Sequence, residues 1–529
     1  MVTNEWFLTG AERGNPSSAL TAWSEGNDVG ALVHGSAYFD RLVDAVQAMA
    51  AGDQLYLTDW RGDPDQRLRP DGPTVGELLS EAARRGVVVR ALIWRSHADP
   101  VNPHAEKNRY LADDIGEDGG QVLLDQRLRR FGSHHQKLVI LRHPGRPERD
   151  LAFVGGIDLC HSRRDGAEHR GDPQPVEMPA DYGERPPWHD VQLELRGPVV
   201  AALELSFRER WTDPTPLRRH HPIATLRDRL AGTAVTARPL PPPAPAPPPA
   251  GNHAVQVLRT YPRTRPPYPF APAGERSIAR GYTKAVRRAR RLIYVEDQYL
   301  WSEQVARLFA DALRDRPELH LIVVVPRFPD VAGRLARPPS VVGHQRALEL
   351  CRRAGGDRLH VFNLENHNGT PVYVHSKVCV IDDVWASVGS DNFNRRSWTY
   401  DSELSCAVLD DTSDRRAPTD PAGLGDQART FARELRLRLM REHLDRAADG
   451  GEDVDLLDPA GAAKAVDVAA AALDGWYAAG CTGPRPPGRL RRHDPARLSP
   501  VTRAWASVPY RVLYDPDARP RAMRRAGSW

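Results

Sequence analysis

The sequence predicts an α/β fold that is built from two similar halves. Three observations support this prediction: helical and strand-like segments alternate along the chain, their order recurs, and a proline-rich segment separates the two series. Such alternation is typical of helices layered on a mostly buried sheet. A chain of 529 residues is also too long for one hydrophobic core, so we expect more than one domain.

The proline-rich segment, RPLPPPAPAPPPAG, runs from Arg238 to Gly251. This composition favours an extended spacer with little side-chain surface for a core. We therefore expect an N-terminal lobe over residues 1–237, a linker over 238–252 and a C-terminal lobe over 253–450. An extension over 451–529 follows, helical at first and then basic.

The recurring order consists of a helix, a strand, a second helix and a second strand. In the first half these are residues 37–52, QLYLTDW, residues 75–86 and VVVRALIW; in the second half they are residues 277–291, LIYVEDQYLW, residues 304–315 and LHLIVVV. Each half then reaches a His-x-Lys sequence and a glycine-containing turn. Duplication of one unit is the simplest explanation.

The chain ends in two predicted helices and a basic segment. Residues 428–444 have apolar side chains at helical spacing, and an Ala-rich helix is expected from Asp458 to Ala479. From Cys481 to Trp529 there are 11 Arg and three Asp, a formal charge of +8. This charge leaves two interpretations open, a segment that attracts phosphate-rich partners and a solvated tail.

Composition excludes several classes of protein. The chain is 40% hydrophobic and 27% charged, and none of its apolar runs approaches the roughly 18 residues of a membrane span. The N-terminal residues lack a basic start followed by an apolar segment, so no secretory leader is expected. The five cysteines are scattered without a CxxC pair, which argues against a disulfide framework and a cysteine zinc site. We expect a cytoplasmic location.

Two His-x-Lys sequences carry the chemistry that we expect. The first is His135-Gln136-Lys137 and the second is His375-Ser376-Lys377. If each lies on a strand, its His and Lys share one face. Imidazole can attack phosphorus, and an adjacent ammonium can neutralise the phosphate oxygens. With 19 His in the chain and only five Lys among 73 basic residues, chance predicts about 0.2 such pairs, so two matched copies indicate function.

These residues resemble the phospholipase D superfamily, whose signature, His-x-Lys-x(4)-Asp followed by Gly-Ser-x-Asn, occurs twice. The second copy matches fully, at His375, Lys377, Asp382, Gly389, Ser390 and Asn392. FVGGIDLC, PWHDVQLELRGP and IYVEDQY are similar to the catalytic core of the eukaryotic, plant and related bacterial phospholipases D. The resemblance implies two α/β/α sandwich lobes related by pseudo-twofold symmetry, with both motifs in one cleft.

The first copy departs from the signature, because Arg142 stands where the family has its Asp. If that Asp only braces a loop, activity should survive the change. If it shapes substrate contacts, specificity should differ.

The resemblance also implies roles for individual residues. His135 would be the nucleophile and His375 the general acid, with Glu403 supporting His135 and Asp165, or failing that Asp158, supporting His375. The residues expected to bind the phosphate are Lys137, Lys377, Ser390, Asn392 and Asp158. Asp382, Glu296 and Gln298 would play supporting parts, the last two either in the pocket or in packing. PWHD, with Trp188, His189 and Asp190, is expected to be structural.

No metal or cofactor is expected. The tandem His134-His135 suggests a metal site, but nothing else in the sequence has ligand spacing and the family's chemistry needs none. The expected partner is a phospholipid substrate at a membrane interface, to which the protein would bind peripherally. We expect a monomer with no transmembrane segment and no nucleic-acid partner.

The expected function is hydrolysis or headgroup exchange of glycerophospholipids at the distal phosphodiester through a phosphohistidine. Phosphatidyl transfer of the cardiolipin-synthase type is one alternative, although those enzymes usually carry membrane spans. A nuclease-like phosphodiesterase is another, although these are shorter and lack FVGGIDLC and IYVEDQY. A non-catalytic phosphate-binding module is favoured only by Arg142.

Overall fold

The computed structural model describes residues 2–95, 103–221, 226, 230, 235–331, 333 and 335–529, and it confirms the α/β class. The first half contains α1 Val2–Trp6, α2 Gly10–Arg13, β1 Ser24–Val33, α3 Gly35–Gln47, β2 Gln54–Asp59, α4 Val75–Arg84, β3 Val88–Trp94, α5 Pro103–Glu117, β4 Gln121–Asp125, β5 Leu138–Arg142, β6 Leu151–Gly155, β7 Trp188–His189, β8 Val191–Arg196 and α6 Val199–Trp211.

The second half and the extension contain β9 His253–Tyr261, β10 Glu275–Arg276, α7 Ser277–Arg288, β11 Leu292–Asp297, α8 Glu303–Asp315, β12 His320–Val324, α9 Arg337–Gly355, β13 Leu359–Glu365, β14 Pro371–Val374, β15 Lys377–Ile381, β16 Trp385–Gly389, α10 Arg395–Thr399, β17 Glu403–Asp410, α11 Thr430–His443, α12 Val454–Leu457, α13 Pro459–Ala478, β18 Leu490–Arg492, α14 Pro500–Pro509 and α15 Arg521–Arg525.

The same strand order occurs in both halves. The N-terminal sheet has the order β1-β8-β6-β5-β2-β3-β4, and the C-terminal sheet has the order β9-β17-β16-β15-β11-β12-β13. In each sheet the last three strands are parallel and the other pairs are antiparallel. The halves therefore share one topology, as duplication predicts, and the pseudo-twofold relation between them stays a prediction.

Burial explains why these segments form layers. Strands such as β2 and β11 are buried along their whole length, which is typical of a sheet that is covered on both faces. Helices α3 and α4 pack on the outer face of the N-terminal sheet, and α7, α8 and α9 pack on the outer face of the C-terminal sheet. The inner faces share one core that includes Val154, Leu193, Val388 and Cys406, together with side chains from α6 and α11.

The proline-rich linker lies against the N-terminal half and is not a free spacer. The Arg142 guanidinium donates to the carbonyl oxygens of Ala244, at 3.0 Å, and Pro245, at 2.6 Å. Trp211 Nε1 donates to the carbonyl of Arg238 at 2.8 Å. Such a segment lacks apolar side chains for a core, but its unpaired carbonyls are good acceptors for buried donors.

Arg142 is itself a structural residue. Its side chain is fully buried and forms ion pairs with Asp150, at 2.7 Å, and Glu204, at 3.0 Å. Its counterpart Asp382 accepts hydrogen bonds from the backbone N–H groups of residues 290–292, at 2.7–2.8 Å, at the far end of β15 from Lys377. Both positions therefore brace the sheet, and the geometry favours the first of the two interpretations of Arg142.

The C-terminal extension is built into the C-terminal half. Strand β18 pairs antiparallel with β13, and the Tyr510 hydroxyl donates to the carbonyl of Trp301 at 2.6 Å. Asp515 accepts from the backbone N–H of Arg395 at 2.7 Å. The solvated-tail interpretation is therefore wrong for these residues. Across the described ranges, no helix is long and apolar enough to cross a membrane.

Candidate active site

Both His-x-Lys sequences lie at the entrance of a strand. His135 precedes β5, and His375 lies between β14 and β15. The backbone N–H of His135 donates to the carbonyl of Ser402 at 2.9 Å, and that of His375 donates to the carbonyl of His189 at 2.8 Å. The sequence predicted that both histidines lie on strands of their own sheet. In the structure each lies just outside such a strand, because its backbone N–H bonds to the opposite half of the chain.

Each imidazole is held by a carboxylate from the opposite half of the chain. His135 Nδ1 lies 2.9 Å from Glu403 Oε2, and His375 Nδ1 lies 2.6 Å from Asp190 Oδ2. Both histidines line one cavity of about 800 Å³. A bond at Nδ1 fixes the ring and its tautomer, which leaves Nε2 of each histidine for chemistry in the cavity.

The carboxylate beside His375 corrects the sequence prediction. Asp165 does not contact His375; its carboxylate accepts from the backbone N–H groups of Trp188, at 2.8 Å, and Gly166, at 2.9 Å. Asp190, expected to be structural, takes that position. A signal was present: Asp190 immediately precedes β8 just as Glu403 opens the equivalent strand β17.

Glycines allow the sheet to approach this site closely. A Cβ on Gly156 would lie 2.1 Å from Asp190 Oδ1, and a Cβ on Gly389 would lie 1.9 Å from Ser405 Oγ. Both distances are far below van der Waals contact. Both turns therefore require glycine, because the tight packing behind the two histidines leaves no room for a Cβ.

The two lysines are buried next to their histidines. Lys137 Nζ lies 3.2 Å from the carbonyl oxygen of His135 and 3.1 Å from Asp158 Oδ1. Lys377 Nζ donates to the carbonyl of His375 and, at 3.3 Å, to Gln298 Oε1. Burial and the positive charge of Lys137 lower the pKa of Lys377 to about 8, although Asp190 acts in the opposite direction. The fold thus brings the two motifs close enough for the charge of one lysine to change the pKa of the other.

The other residues predicted to bind phosphate divide into two groups. Asn392 lines the cavity, and its Oδ1 has no hydrogen-bond partner among the described residues. Ser390 Oγ donates to Glu403 Oε2 at 2.5 Å. Asp158 lies behind Lys137, almost fully buried, and it also pairs with Arg163 at 3.2 Å. Because a carboxylate repels phosphate, Asp158 fits the task of holding Lys137 better than a phosphate contact.

The two supporting residues at the end of β11, Glu296 within the strand and Gln298 just after it, separate as well. Gln298 lines the cavity and donates to the Tyr373 hydroxyl at 2.6 Å. Glu296 points away from it and accepts from Ser376 Oγ at 2.8 Å, with His189 Nε2 and His443 Nε2 also at 2.8 Å. Glu296 therefore belongs to a buried histidine cluster behind the site.

Burial dominates the electrostatics around His375. Its pKa lies well below the usual value because the ring is buried and because the positive Lys377 is close. Burial also raises the pKa of Asp190. A bound phosphodiester would add negative charge between the two histidines, which favours the protonated form of either ring.

Aromatic and apolar side chains line part of the cavity, beside charged ones such as Arg163 and Arg396. The aromatic ones include Trp60, Trp188, Trp301 and Tyr514, next to the half-exposed Leu513. An apolar stripe extends from Leu513 along the π-helical turn and α14; its exposed side chains are Val501, Trp505, Val508, Val512 and Leu513. The first four are three or four residues apart, so they share one helical face.

Comparisons with known proteins show which families the chain is similar to. Residues 61–260 match the family described as Phospholipase D, and residues 288–416 match the family described as Cardiolipin synthase, PLD-like domain. Phospholipase D alpha 1 of Cynara cardunculus is 25% identical, with 75% of this chain and 63% of that protein aligned. Phospholipase D alpha 2 of Oryza sativa subsp. japonica is 27% identical, with 75% and 62% aligned.

The chain thus spans less than two thirds of the length of these curated relatives. Among solved structures, the phosphatidylserine synthase of Haemophilus influenzae aligns with 72% of this chain and 82% of its own, at 12% identity and a TM-score of 0.49. The two family matches together cover more than half of the chain and include both His-x-Lys sequences. The chain belongs to the phospholipase D superfamily.

Proposed function

We propose that the protein is a phospholipase D-type phosphodiesterase that cleaves glycerophospholipids at the distal phosphodiester bond. It would transfer the phosphatidyl group to water or to an alcohol. One observation carries the proposal: two imidazoles, each held at Nδ1 by a carboxylate from the opposite half, face one cavity. Such a pair supplies a nucleophile and a general acid for a double displacement at phosphorus.

In the first step, His135 Nε2 attacks phosphorus and the bond to the headgroup oxygen breaks. His375 donates its Nε2 proton to that oxygen, so the headgroup leaves as an alcohol. His135 is assigned as the nucleophile because its side chain is 16% exposed, against 6% for His375. In the second step, water or an alcohol attacks phosphorus, His375 takes its proton, and the bond between phosphorus and His135 breaks.

Positive charge and hydrogen-bond donors complete the proposed mechanism. Lys137 and Lys377 lie next to the two rings and would stabilise the phosphate oxygens as negative charge builds on them. Asn392 would donate a hydrogen bond to the same oxygens, whereas the Ser390 hydroxyl donates to Glu403 and would help to hold that carboxylate. Because these groups already supply nucleophile, acid and charge, no proposed step passes through a metal ion.

The apolar stripe favours a lipid over a nucleic-acid diester. Its exposed valines and Trp505 continue to Leu513, which lines the cavity. Side chains of this kind enter the acyl boundary of a membrane, where Trp is particularly favourable. The stripe also supports peripheral contact with a membrane.

Phosphatidyl transfer to a biosynthetic acceptor is the second candidate. The match of residues 288–416 to the family described as Cardiolipin synthase, PLD-like domain, favours it. Both candidates share the proposed phosphatidyl-His135 intermediate and differ only in the acceptor.

The test is to incubate the protein with mixed phospholipid vesicles, with and without ethanol or glycerol, and to identify the products by mass. We expect phosphatidic acid alone, and diversion to the phosphatidyl alcohol when alcohol is present, with retention at phosphorus. His135→Ala should abolish both products and any covalent adduct. A dinucleotide diester provides the comparison substrate. Cleavage of that substrate alone, inversion at phosphorus, or an adduct found only on His375 would contradict the proposal.

A further inference from the structure

A group of side chains that could hold a metal ion lies outside the cleft. His34 follows β1, His169 lies in the loop before β7, His189 ends β7, and Glu442 lies near the end of α11. One ligand atom from each of the four lies within 4.8 Å of every other. Glu442 Oε2 is 2.7 Å from His34 Nε2, and Glu442 Oε1 is 3.0 Å from His169 Nε2 and 3.5 Å from His189 Nδ1.

Two of the three opposite ring nitrogens have the partners that metal-binding histidines usually have, while His34 Nδ1 has no hydrogen-bond partner among the described residues. His189 Nε2 lies 2.8 Å from Glu296 Oε2, and His169 Nδ1 lies 3.1 Å from the carbonyl oxygen of Trp188. Donation of one ring N–H to a carboxylate or carbonyl turns the other nitrogen, with its lone pair, toward a metal. These two bonds therefore aim His189 Nδ1 and His169 Nε2 into the group.

A ligand nitrogen in this group is buried without a hydrogen bond. His189 is fully buried, and its Nδ1 has no hydrogen-bond partner among the described residues. A buried polar atom left in this state is costly, roughly 1–3 kcal/mol, unless another group satisfies it. An ion placed between the four side chains would satisfy this nitrogen.

The backbone at two of the histidines is strained. His34 has φ +72° and His169 has φ +49°, values that residues other than glycine rarely adopt. Strain of this kind persists where the surrounding structure holds a side chain in place, and it clusters at binding sites. Both strained residues here direct their rings toward Glu442.

An approach for an ion exists from the surface. A cavity of about 1150 Å³ is bordered by His34 and Glu442, and by Glu434 of α11. The Glu442 side chain is 14% exposed, whereas that of His169 is fully buried. The ligand group therefore lies at the inner wall of an open cavity, on a different side of β7 from His375.

We propose that His34, His169, His189 and Glu442 form a binding site for a divalent transition-metal ion, with Zn²⁺ the best match. Three imidazole nitrogens and one carboxylate oxygen form a four-ligand set that suits tetrahedral zinc. Ca²⁺ and Mg²⁺ are disfavoured because both prefer oxygen ligands. The four positions are scattered over more than 400 residues, so no sequence spacing reveals them. The proposal replaces the expectation, drawn from the sequence, that the chain has no metal site.

The site would position the carboxylate that holds His375. Asp190 follows His189 directly, and its carbonyl oxygen accepts the backbone N–H of His34 at 2.8 Å. An ion bound to both histidines would tie these two backbone segments together. This consequence rests on the proposed function, whereas metal binding itself does not.

The test measures metal in the full chain without reference to activity. Protein from zinc-supplemented culture should contain about one zinc ion per chain by elemental mass spectrometry, and Co²⁺ exchange should give the visible bands of a tetrahedral site. Glu442→Gln and His169→Asn should each lower metal affinity at least tenfold. Glu434→Gln removes the same charge from the same helix and cavity, and should leave metal content unchanged.

Circular dichroism establishes that each variant is folded. If a ligand variant does not fold, the Co²⁺ spectrum of the unaltered chain decides the question. Less than about 0.1 ion per chain together with no tetrahedral Co²⁺ bands would overturn the site and leave a hydrogen-bonded histidine cluster. Equal loss of metal in Glu434→Gln would also overturn it, because the effect would then be one of general charge.

Discussion

Replacing Asp190 with Asn tests the assignment of the carboxylate behind His375. Asn keeps the size of the side chain but removes the charge that lies 2.6 Å from His375 Nδ1. A hydrogen bond between a buried imidazolium and a carboxylate contributes about 1.5–3 kcal/mol. At about 1.4 kcal/mol per factor of ten, kcat/KM should fall by roughly 10- to 150-fold.

The matched variant is Asp165→Asn, because Asp165 is the partner that the sequence suggested. Its carboxylate accepts two backbone N–H groups near Trp188 and lies 3.8 Å from His169 Nδ1, without contact to His375, so kcat/KM should stay within about threefold. Rates are measured on phosphatidylcholine vesicles and on a soluble diester with a good leaving group, which needs little protonation. The Asp190→Asn loss in the first half-reaction should shrink on the second substrate.

Two outcomes would refute this reasoning. An Asp165→Asn loss as large as that of Asp190→Asn would return the supporting role to Asp165. Near-normal kcat/KM in Asp190→Asn, with intact folding by circular dichroism, would show that His375 needs no carboxylate at Nδ1.

Three further predictions concern the lysines and Arg142. Lys137→Arg and Lys377→Arg should each lower kcat/KM at least about tenfold, because a planar guanidinium does not meet phosphate oxygens as a compact ammonium does; near-normal rates in both would remove the argument from lysine scarcity. On the alkaline side, kcat/KM should fall as pH rises through about 8, where Lys377 loses its proton, and Lys377→Arg should lack that decline; a decline unchanged in the variant would assign it to another group. Arg142→Ala should lower the free energy of unfolding by about 3–5 kcal/mol in urea titrations, since it removes the guanidinium that pairs with buried Asp150 and leaves Glu204 with Arg208 alone, while KM is unchanged; a raised KM with normal stability would place Arg142 in substrate binding.

Periodicity and local motifs predicted much of the fold. The alternating helices and strands, the duplicated order and both His-x-Lys sequences depend on short-range patterns that a single sequence displays. The pairing of His135 with Glu403 came from the family resemblance. Asp190 was missed because PWHD looks like an ordinary strand start, and its role appears only when the two halves meet.

The remaining differences have the same physical origin. The linker packs through its carbonyl oxygens, which leave no trace in side-chain composition. The basic C-terminal segment joins the sheet through the three residues of β18, too few for a recognisable period. The proposed metal ligands His34, His169, His189 and Glu442 come from four distant segments, and only tertiary structure can bring such residues together.

The exchange of carboxylates between the halves makes catalytic competence a late property of the chain. During synthesis the N-terminal half emerges first and can fold as a unit, but its His135 has no Glu403 until the last sheet strands of the second half exist. A truncated or proteolysed protein would likewise lose both supported histidines together. The proposed lipid-cleaving activity would therefore be absent from incomplete copies of the chain.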